Sequence, residues 1–286
     1  MGVYKNIKQF TFSLLPDKLY LTLLFHHRLG YWMDWNNPQT YNEKLQWLKI
    51  HDRHPEYTRM VDKAAVKDFV AGIIGKEYII PTLATYDTVD DIDFNALPSQ
   101  FVLKCTHDSG GIIVCKDKSK LNVEAAKRKL RKALNRTFSL LTREYPYEDV
   151  PRRIIAEKYM EDESGYELKD YKFFCFDGKV HYLFVATGRQ NNDTRFDFYD
   201  KNFQHLPIRQ GHPWATKTID KPANFEKMIE IAEQLSKSIP HVRVDLYNIN
   251  GKIYFGEYTF FHYGGIVPFH PAEWDYRFGS LIKLQK

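Results

Sequence analysis

Two groups of residues have the types and spacing to do chemistry. The first is Lys104, near the end of the apolar run Phe101–Cys105, followed by His107-Asp108-Ser109-Gly110-Gly111. Glycines let backbone N–H groups close on an anion, and a lysine adds a point charge. The second lies near the C-terminus, where Arg243-Val244-Asp245 and Glu257-Tyr258-Thr259 flank the hairpin signal Asn250-Gly251. Carboxylates on two adjacent strands suit Mg²⁺, which takes a few carboxylate oxygens and completes its shell elsewhere. Side chains alternate along a strand, so Arg243 shares a face with Asp245, and Glu257 with Thr259. The turn decides whether the two pairs face the same way. A two-residue Asn250-Gly251 turn opposes Asp245 to Gly256 and sends Glu257 to the other side. A three-residue Ile249-Asn250-Gly251 loop opposes Arg243 to Glu257. A metal site at Asp245 and Glu257 therefore requires the odd-length loop or an equivalent bulge, with Val242, Val244, Leu246, Tyr258 and Phe260 facing the core.

The elements that must position these groups follow from periodicity. The first 95 residues read as mainly helical, with a helix entered through Pro38–Lys44, a second over Pro55–Val70, and an extended stretch from Tyr78–Pro81. Strands at Phe101–Cys105 and Ile112–Cys115 flank the glycine loop. A helix over Val123–Leu141, capped by Asn122, places Val123, Ala126, Leu130, Leu134, Phe138 and Leu141 on one side. Its basic stripe, Arg128, Arg131, Lys132 and Arg136, reads as a solvated face. Then come a strand at Arg153–Met160, a polar loop Glu161–Lys169, and a hairpin of Asp170–Phe176 with Lys179–Thr187 around Asp177-Gly178. A short strand at Arg195–Tyr199, a helix over Asn224–Ile239 and the hairpin His241–Tyr247 with Lys252–Phe260 complete the pattern.

Composition narrows the class. Lys and Arg number 41 against 36 Asp and Glu, a net charge of +5 that permits an anionic partner without demanding one. With 43% hydrophobic residues in 286, the chain can bury one large core or two modest ones. Three cysteines, Cys105, Cys115 and Cys175, lack the count and spacing of a disulfide framework or zinc site and fit a reducing cytoplasm. No apolar run approaches the roughly 20 residues of a membrane helix, and polar residues interrupt Phe10–Leu15, unlike a secretory signal. Leu14–Tyr31, apolar with Lys18 and Arg28, has the makings of a membrane-surface segment, although packing on the body is expected. No P-loop, dinucleotide fingerprint or kinase signature occurs. His26-His27, His51 with His54, and His262 with His270 read as surface or packing residues. Asp91-Ile92-Asp93 matches the D-x-D form of many glycosyltransferases, but reads as a solvated loop.

Taken in order, a strand lysine with a glycine loop, the apolar strand Ile154-Ile155-Ala156-Glu157-Lys158-Tyr159, then R-x-D and a following glutamate resemble the ATP-grasp superfamily. The closer resemblance is to its TupA-like branch, named for teichuronopeptide synthesis. It rests on Pro38–Trp47, Asp62-Lys63 with Val66, Tyr78–Pro81, Lys104 with Ser109-Gly110-Gly111, Asp170–Lys179, Arg243–Tyr247 and Gly256-Glu257, over roughly residues 25 to 280. The resemblance implies an α+β fold in which two α+β subdomains clasp ATP: a mainly helical region (1–95), a small lid subdomain (96–160), and a large subdomain with the Mg²⁺ site (161–286). By that carry-over Lys104 meets the α-phosphate side and Ser109, Gly110 and Gly111 cover the β- and γ-phosphates. Glu157, Lys158 and Tyr159 form the adenine hinge, Glu167 meets the ribose, and Lys172 reaches the phosphates. Asp245 and Glu257 hold Mg²⁺, and Arg243 stabilises the transferring phosphoryl group. One departure stands out: Thr259 occupies the position where the superfamily usually has Asn.

The expected function is an ATP- and Mg²⁺-dependent carboxylate–amine ligase, forming an amide through an acyl phosphate. Such chemistry needs positioning and charge neutralisation more than a side-chain nucleophile. The TupA-like resemblance implies an amino acid or other amine joined to the uronic acid of a cell-surface polysaccharide. No nucleic-acid partner is expected, and the location is cytoplasmic, at or near the inner membrane face. The alternatives are a glycosyltransferase resting on Asp91 and Asp93, a phosphotransferase on the same core, and a non-catalytic binding module. Trp214, His262 and Tyr263 are candidates for stacking on a sugar.

Overall fold

The computed structural model describes residues 15–137, 139–165, 167–189 and 193–285; Phe138 and the stretch Phe10–Leu14 lie outside the described residues. In chain order the elements are helices α1 (Asp17–Leu29), α2 (Tyr41–His51), α3 (Glu56–Val61) and α4 (Ala65–Ile74), and strands β1 (Thr82–Tyr86), β2 (Phe101–Cys105) and β3 (Ile112–Cys115). Helices α5 (Val123–Leu134) and α6 (Ser139–Thr142) precede strands β4 (Ile154–Lys158), β5 (Asp170–Phe176), β6 (Lys179–Thr187), β7 (Arg195–Asp200) and β8 (His205–Leu206). Helix α7 (Phe225–Leu235), strands β9 (His241–Ile249) and β10 (Lys252–Thr259), and helix α8 (Glu273–Leu281) follow. The class is α+β. Two antiparallel sheets carry it, one in the order β1-β4-β2-β3 and the other β10-β9-β5-β6-β7-β8.

Local sequence sets some boundaries and distant residues set others. Thr40 and Glu43 form a capping box that starts α2, each side chain receiving the other's backbone N–H. The helix expected over Pro55–Val70 is two. Asp62 turns extended between them, and its carboxylate accepts the N–H groups of Ala64 and Ala65 while Arg153 holds its other oxygen at 2.9 Å. The helix expected to reach Leu141 ends at Leu134, whose carbonyl is taken by Arg152, and the chain re-enters a short turn at Ser139. Helix α7 stops at Leu235, before Ile239, where Ser236 donates its hydroxyl back to the Ala232 carbonyl. Within the stretch read as mainly helical, β1 pairs with β4 and belongs to the small sheet.

Alternation then divides each sheet into two faces. On the small sheet Phe101, Leu103, Cys105, Cys115, Ile154 and Ala156 pack under α5 with Leu130 and Ala133. On the large sheet Phe173, Cys175, Val242, Val244, Leu246 and Tyr258 share a core with Phe225, Met228, Ala232 and Leu235 of α7. The opposite faces carry the charged residues. The D-x-D loop lies apart from them: Asp91 accepts the Thr88 N–H and hydroxyl, and Asp93 accepts the Asn95 and Ala96 N–H groups. Both carboxylates cap turns, as expected of a solvated loop. Among the described residues, no helix is long and apolar enough to cross a membrane.

Candidate active site

Strand pairing builds the site from two walls. On the small sheet Val102 opposes both Val114 and Glu157, and Lys104 opposes Ile112 and Ile155, so these side chains share a face. Glu157, 5% exposed, is clamped by Lys104 at 2.6 Å and by Lys67 of α4 at 2.5 Å. Burial alone would raise the Glu157 carboxyl, but Lys104 and Lys67 outweigh it and hold it below the ordinary range. Burial pulls Lys104 down, and Glu157 more than restores it.

On the large sheet the decisive feature is the register of β9 with β10. Asn250 and Gly251 form a two-residue turn, both with positive φ, and Ile249 pairs with Lys252. That turn alone would send Glu257 to the wrong face. A bulge at Gly256 restores it: Phe255 opposes Leu246, yet Glu257 opposes Asp245 and Thr259 opposes Arg243. The same bulge brings Phe255 and Tyr258, three residues apart, into ring contact at 5.1 Å. The requirement for an odd loop or an equivalent bulge is met by the bulge.

The polar face is then one network. Arg243 donates to both oxygens of Asp245 at 2.7 and 2.8 Å, to Thr259 Oγ1 at 2.9 Å, and stands 3.7 Å from Glu257. Lys172, opposite Asp245 on β5, binds Asp245 and, at 2.6 Å, Asp170. Arg189 meets Asp170 at 2.6 Å. Burial would raise Glu257, but Lys172, Lys63 and Arg243 bring it down to about 2. Burial pushes fully buried Asp245 upward despite its two cations.

Between the walls lies a cavity of about 590 Å³. Its lining includes seven basic side chains, Lys63, Lys67, Lys104, Lys116, Lys129, Lys158 and Arg189, against three acidic ones, Glu157, Asp170 and Glu257. It also has an apolar side formed by Val102, Ile112, Val114, Met160, Leu168 and Phe255. Of the residues expected from sequence, Lys104, Glu157, Lys158, Tyr159 and Glu257 line it. Lys172, Arg243 and Asp245 are buried in the network behind Glu257 and Asp170. Ser109 and Gly110 are exposed in the loop after β2. His107 and Asp108, at the start of the same loop, are buried, with Lys63 donating to the Asp108 carbonyl at 3.0 Å. Glu167 does not line this cavity. It accepts the Gly188 N–H at 2.9 Å beside a second cavity of about 710 Å³. His262 is buried against Arg243 and Gln210, so it is not free to stack on a sugar.

Several site residues had no role in the sequence reading: Lys63, Lys67, Asp170 and Arg189. Asp170 had a local signal, since it stands two residues before Lys172 and shares its face. The others arrive from distant elements.

A family model described as TupA-like ATPgrasp matches residues 43–283. The chain belongs to the TupA-like ATP-grasp family. Comparison with curated proteins finds no match. Among solved structures, this TupA-like chain is similar to D-alanine–D-alanine ligase from Helicobacter pylori, at 14% identity and TM-score 0.45, covering 85% of this chain and 69% of that one. It is similar to L-amino acid ligase from Bacillus licheniformis, at 12% identity and TM-score 0.45, covering 85% and 55%. It also resembles D-alanine–D-alanine ligase from Bacillus anthracis in complex with ATP, at 15% identity and TM-score 0.38, covering 70% and 53%. The chain thus spans about half the length of the Bacillus proteins.

Proposed function

We propose that the chain is an ATP- and Mg²⁺-dependent carboxylate–amine ligase that activates a carboxylate as an acyl phosphate for attack by an amine. The observation that carries this reading is the cavity: cations outnumber carboxylates along one part of its lining and apolar side chains form another. A nucleotide has that division, a flat base and a polyanionic tail. In this reading Val102, Ile112, Met160, Leu168 and Phe255 take the base beside the Glu157–Tyr159 hinge. Lys104 and Lys172 meet the phosphates, and Ser109, Gly110 and Gly111 close over them. Arg243 faces the transferring phosphoryl group.

The donor set suits Mg²⁺ as a partner of the nucleotide rather than as a resident ion. Among the described residues, no group of three or more His, Cys, Asp or Glu side chains is arranged to hold a metal. Glu257 faces the cavity opposite Asp245, and buried Asp170 has one carboxylate oxygen without a hydrogen-bond partner. Asp245 and Glu257 would hold the ion and phosphate oxygens would complete its shell, the usual habit of Mg²⁺. When bound it supplies charge neutralisation. Burial disfavours every thiolate: it raises Cys115 and pushes Cys105 up to about 11 and Cys175 to about 12.

The uronic acid of a cell-surface polysaccharide as acceptor, an amino acid as amine, and work at the inner membrane face follow from the family's name and remain part of this proposal. The test is ATP turnover with candidate amino acids, with and without uronic-acid acceptors, followed by product mass. An amide with released phosphate is expected. A phosphorylated acceptor would make the chain a phosphotransferase, and no ATP turnover with any pair would sink the reading.

A further inference from the structure

The helix entered through Pro38–Lys44 has no part in the site described above, yet α2 buries three polar side chains completely: Asn42, Gln46 and Lys49. Spaced four and three residues apart, they share one helix face. All three reach the segment that follows β10. Gln46 Nε2 donates to the carbonyls of Gly264 and Gly265, both at 2.9 Å; Lys49 Nζ donates to Gly264 at 2.8 Å; Asn42 Nδ2 donates to Val267 at 3.2 Å. Tyr263, Gly264 and Gly265 are consecutive left-handed residues with φ of 51°, 62° and 65°. The Tyr263 carbonyl takes the Ile266 N–H within the turn, and the Gly264 and Gly265 carbonyls take their donors from α2.

His262 begins that segment. Its Nε2 lies 3.0 Å from Gln210 Oε1, and its Nδ1 contacts Arg243 Nη1. Gln210 Nε2 donates to the Val267 carbonyl at 3.1 Å, which settles the direction of its amide. Oε1 must then accept, so His262 carries its proton on Nε2 and presents the Nδ1 lone pair to Arg243, which has only donors. Arg243 and His241 face the ring from β9 and Lys172 faces it from β5, while Phe174 and Phe184 pack against it. Burial and these neighbours hold His262 well below its ordinary range, so it stays neutral.

We propose that His262, oriented by Gln210 and seated by the Asn42–Gln46–Lys49 row of α2, is a positioning residue that fixes the Arg243 guanidinium. Asp245 and Thr259 hold the Nε and Nη2 edges of Arg243, and His262 holds Nη1. The plane is thereby set from three sides. An arginine aimed at developing charge contributes most when it needs no reorganisation. The inference rests on the ligase reading for its kinetic arm only.

Two measurements test it. The first needs no substrate: ¹H–¹⁵N spectra of the histidine rings in the intact chain. The expected result is one buried ring, absent in His262→Asn, locked as the Nε2–H tautomer and not titrating over about pH 5.5 to 8.5. Titration of that ring, or an Nδ1–H tautomer for it, would overturn the proposal whatever the enzyme does; His241, whose Nδ1 faces the Cys175 carbonyl, is the Nδ1–H ring it is told apart from. The second compares His262→Asn, whose amide oxygen can replace Nδ1, with His262→Leu. With His262→Leu, kcat should fall about tenfold to a hundredfold while KM for ATP stays within about twofold, and His262→Asn should recover most of kcat. Equal kcat in all three proteins, or equal losses in both variants, would sink it. If His262→Leu fails to fold, the tautomer measurement decides. If the wild-type chain turns over no ATP, the ligase reading fails and the ring spectra alone judge the relay.

Discussion

The two walls of the cavity handle charge differently. On the small-sheet wall one carboxylate, Glu157, is shared by Lys104 and Lys67 on an otherwise apolar face, over a core of its own. On the large-sheet wall, Arg243 touches Asp245, Thr259 and His262 at once, and Lys172 ties Asp245 to Asp170. The first arrangement would lose little on exchanging a partner for an anionic ligand, because Glu157 keeps one lysine when the other is released. The second opens only to a ligand that brings its own charge, since otherwise a buried charge is left uncompensated. On the proposed reading the small sheet binds the nucleotide and the large sheet supplies a fixed field.

The comparison is most exposed at Arg243. Arg243→Met should destabilise the fold by roughly 3–5 kcal/mol, because Asp245 is left with Lys172 alone, and should lower kcat by about 10³-fold. Chemical denaturation and single-turnover assays measure both. A loss of kcat without a loss of stability would mean that the large-sheet network is not interlocked.

Next is Gly111→Ala. An added Cβ would sit 2.6 Å from Ala133 Cβ and 2.9 Å from Cys105 Sγ. Overpacking there should cost about 1–3 kcal/mol. Hydrogen exchange should quicken in β2, β3 and β4 and leave β5 and β9 unchanged. Equal quickening in both sheets would show that the small core is not a separate unit.

Lys104→Met should weaken nucleotide binding by about tenfold, worth about 1.4 kcal/mol, with a smaller change in stability because Lys67 still pairs with Glu157. Calorimetric titration with ATP and Mg²⁺ reads it. A stability loss as large as that of Arg243→Met would erase the distinction between the walls.

The smallest effect is on acid stability. Glu157 and Glu257 both titrate below the ordinary 4.5, Glu257 at about 2. A depressed carboxylate contributes stability above its unfolded value and loses it as pH falls through the folded one. The contribution should therefore fade from about pH 4.5 toward about 2, and Glu257→Gln should flatten that slope. The Glu257 side chain is 44% exposed, so solvent screens much of the effect. A change of slope above pH 5 instead would assign the titration to other groups.

Much of this was legible in the chain itself. Lys104 and Glu157 stand on short apolar runs that read as strands, and Asn250-Gly251 announces its turn by the positive φ that both positions must take. The capping box of α2 and the Asn122 cap of α5 are similarly local. The helix ends were not legible, because the residues that stop α3 and α5 act through Arg153 and Arg152, far along the chain.

The sequence by itself determined which residues could carry charge, which strands bore them, and that Asp245 and Glu257 would meet only if the hairpin broke its parity. Tertiary structure decided that the break is a bulge at Gly256, since a bulge is chosen by what both faces of the strand must pack against. It also decided that Lys63, Lys67, Asp170 and Arg189 join the cavity, and that α2 reaches across to the turn beside His262. Local periodicity reports which way a side chain points. Only the packed fold reports what it points at.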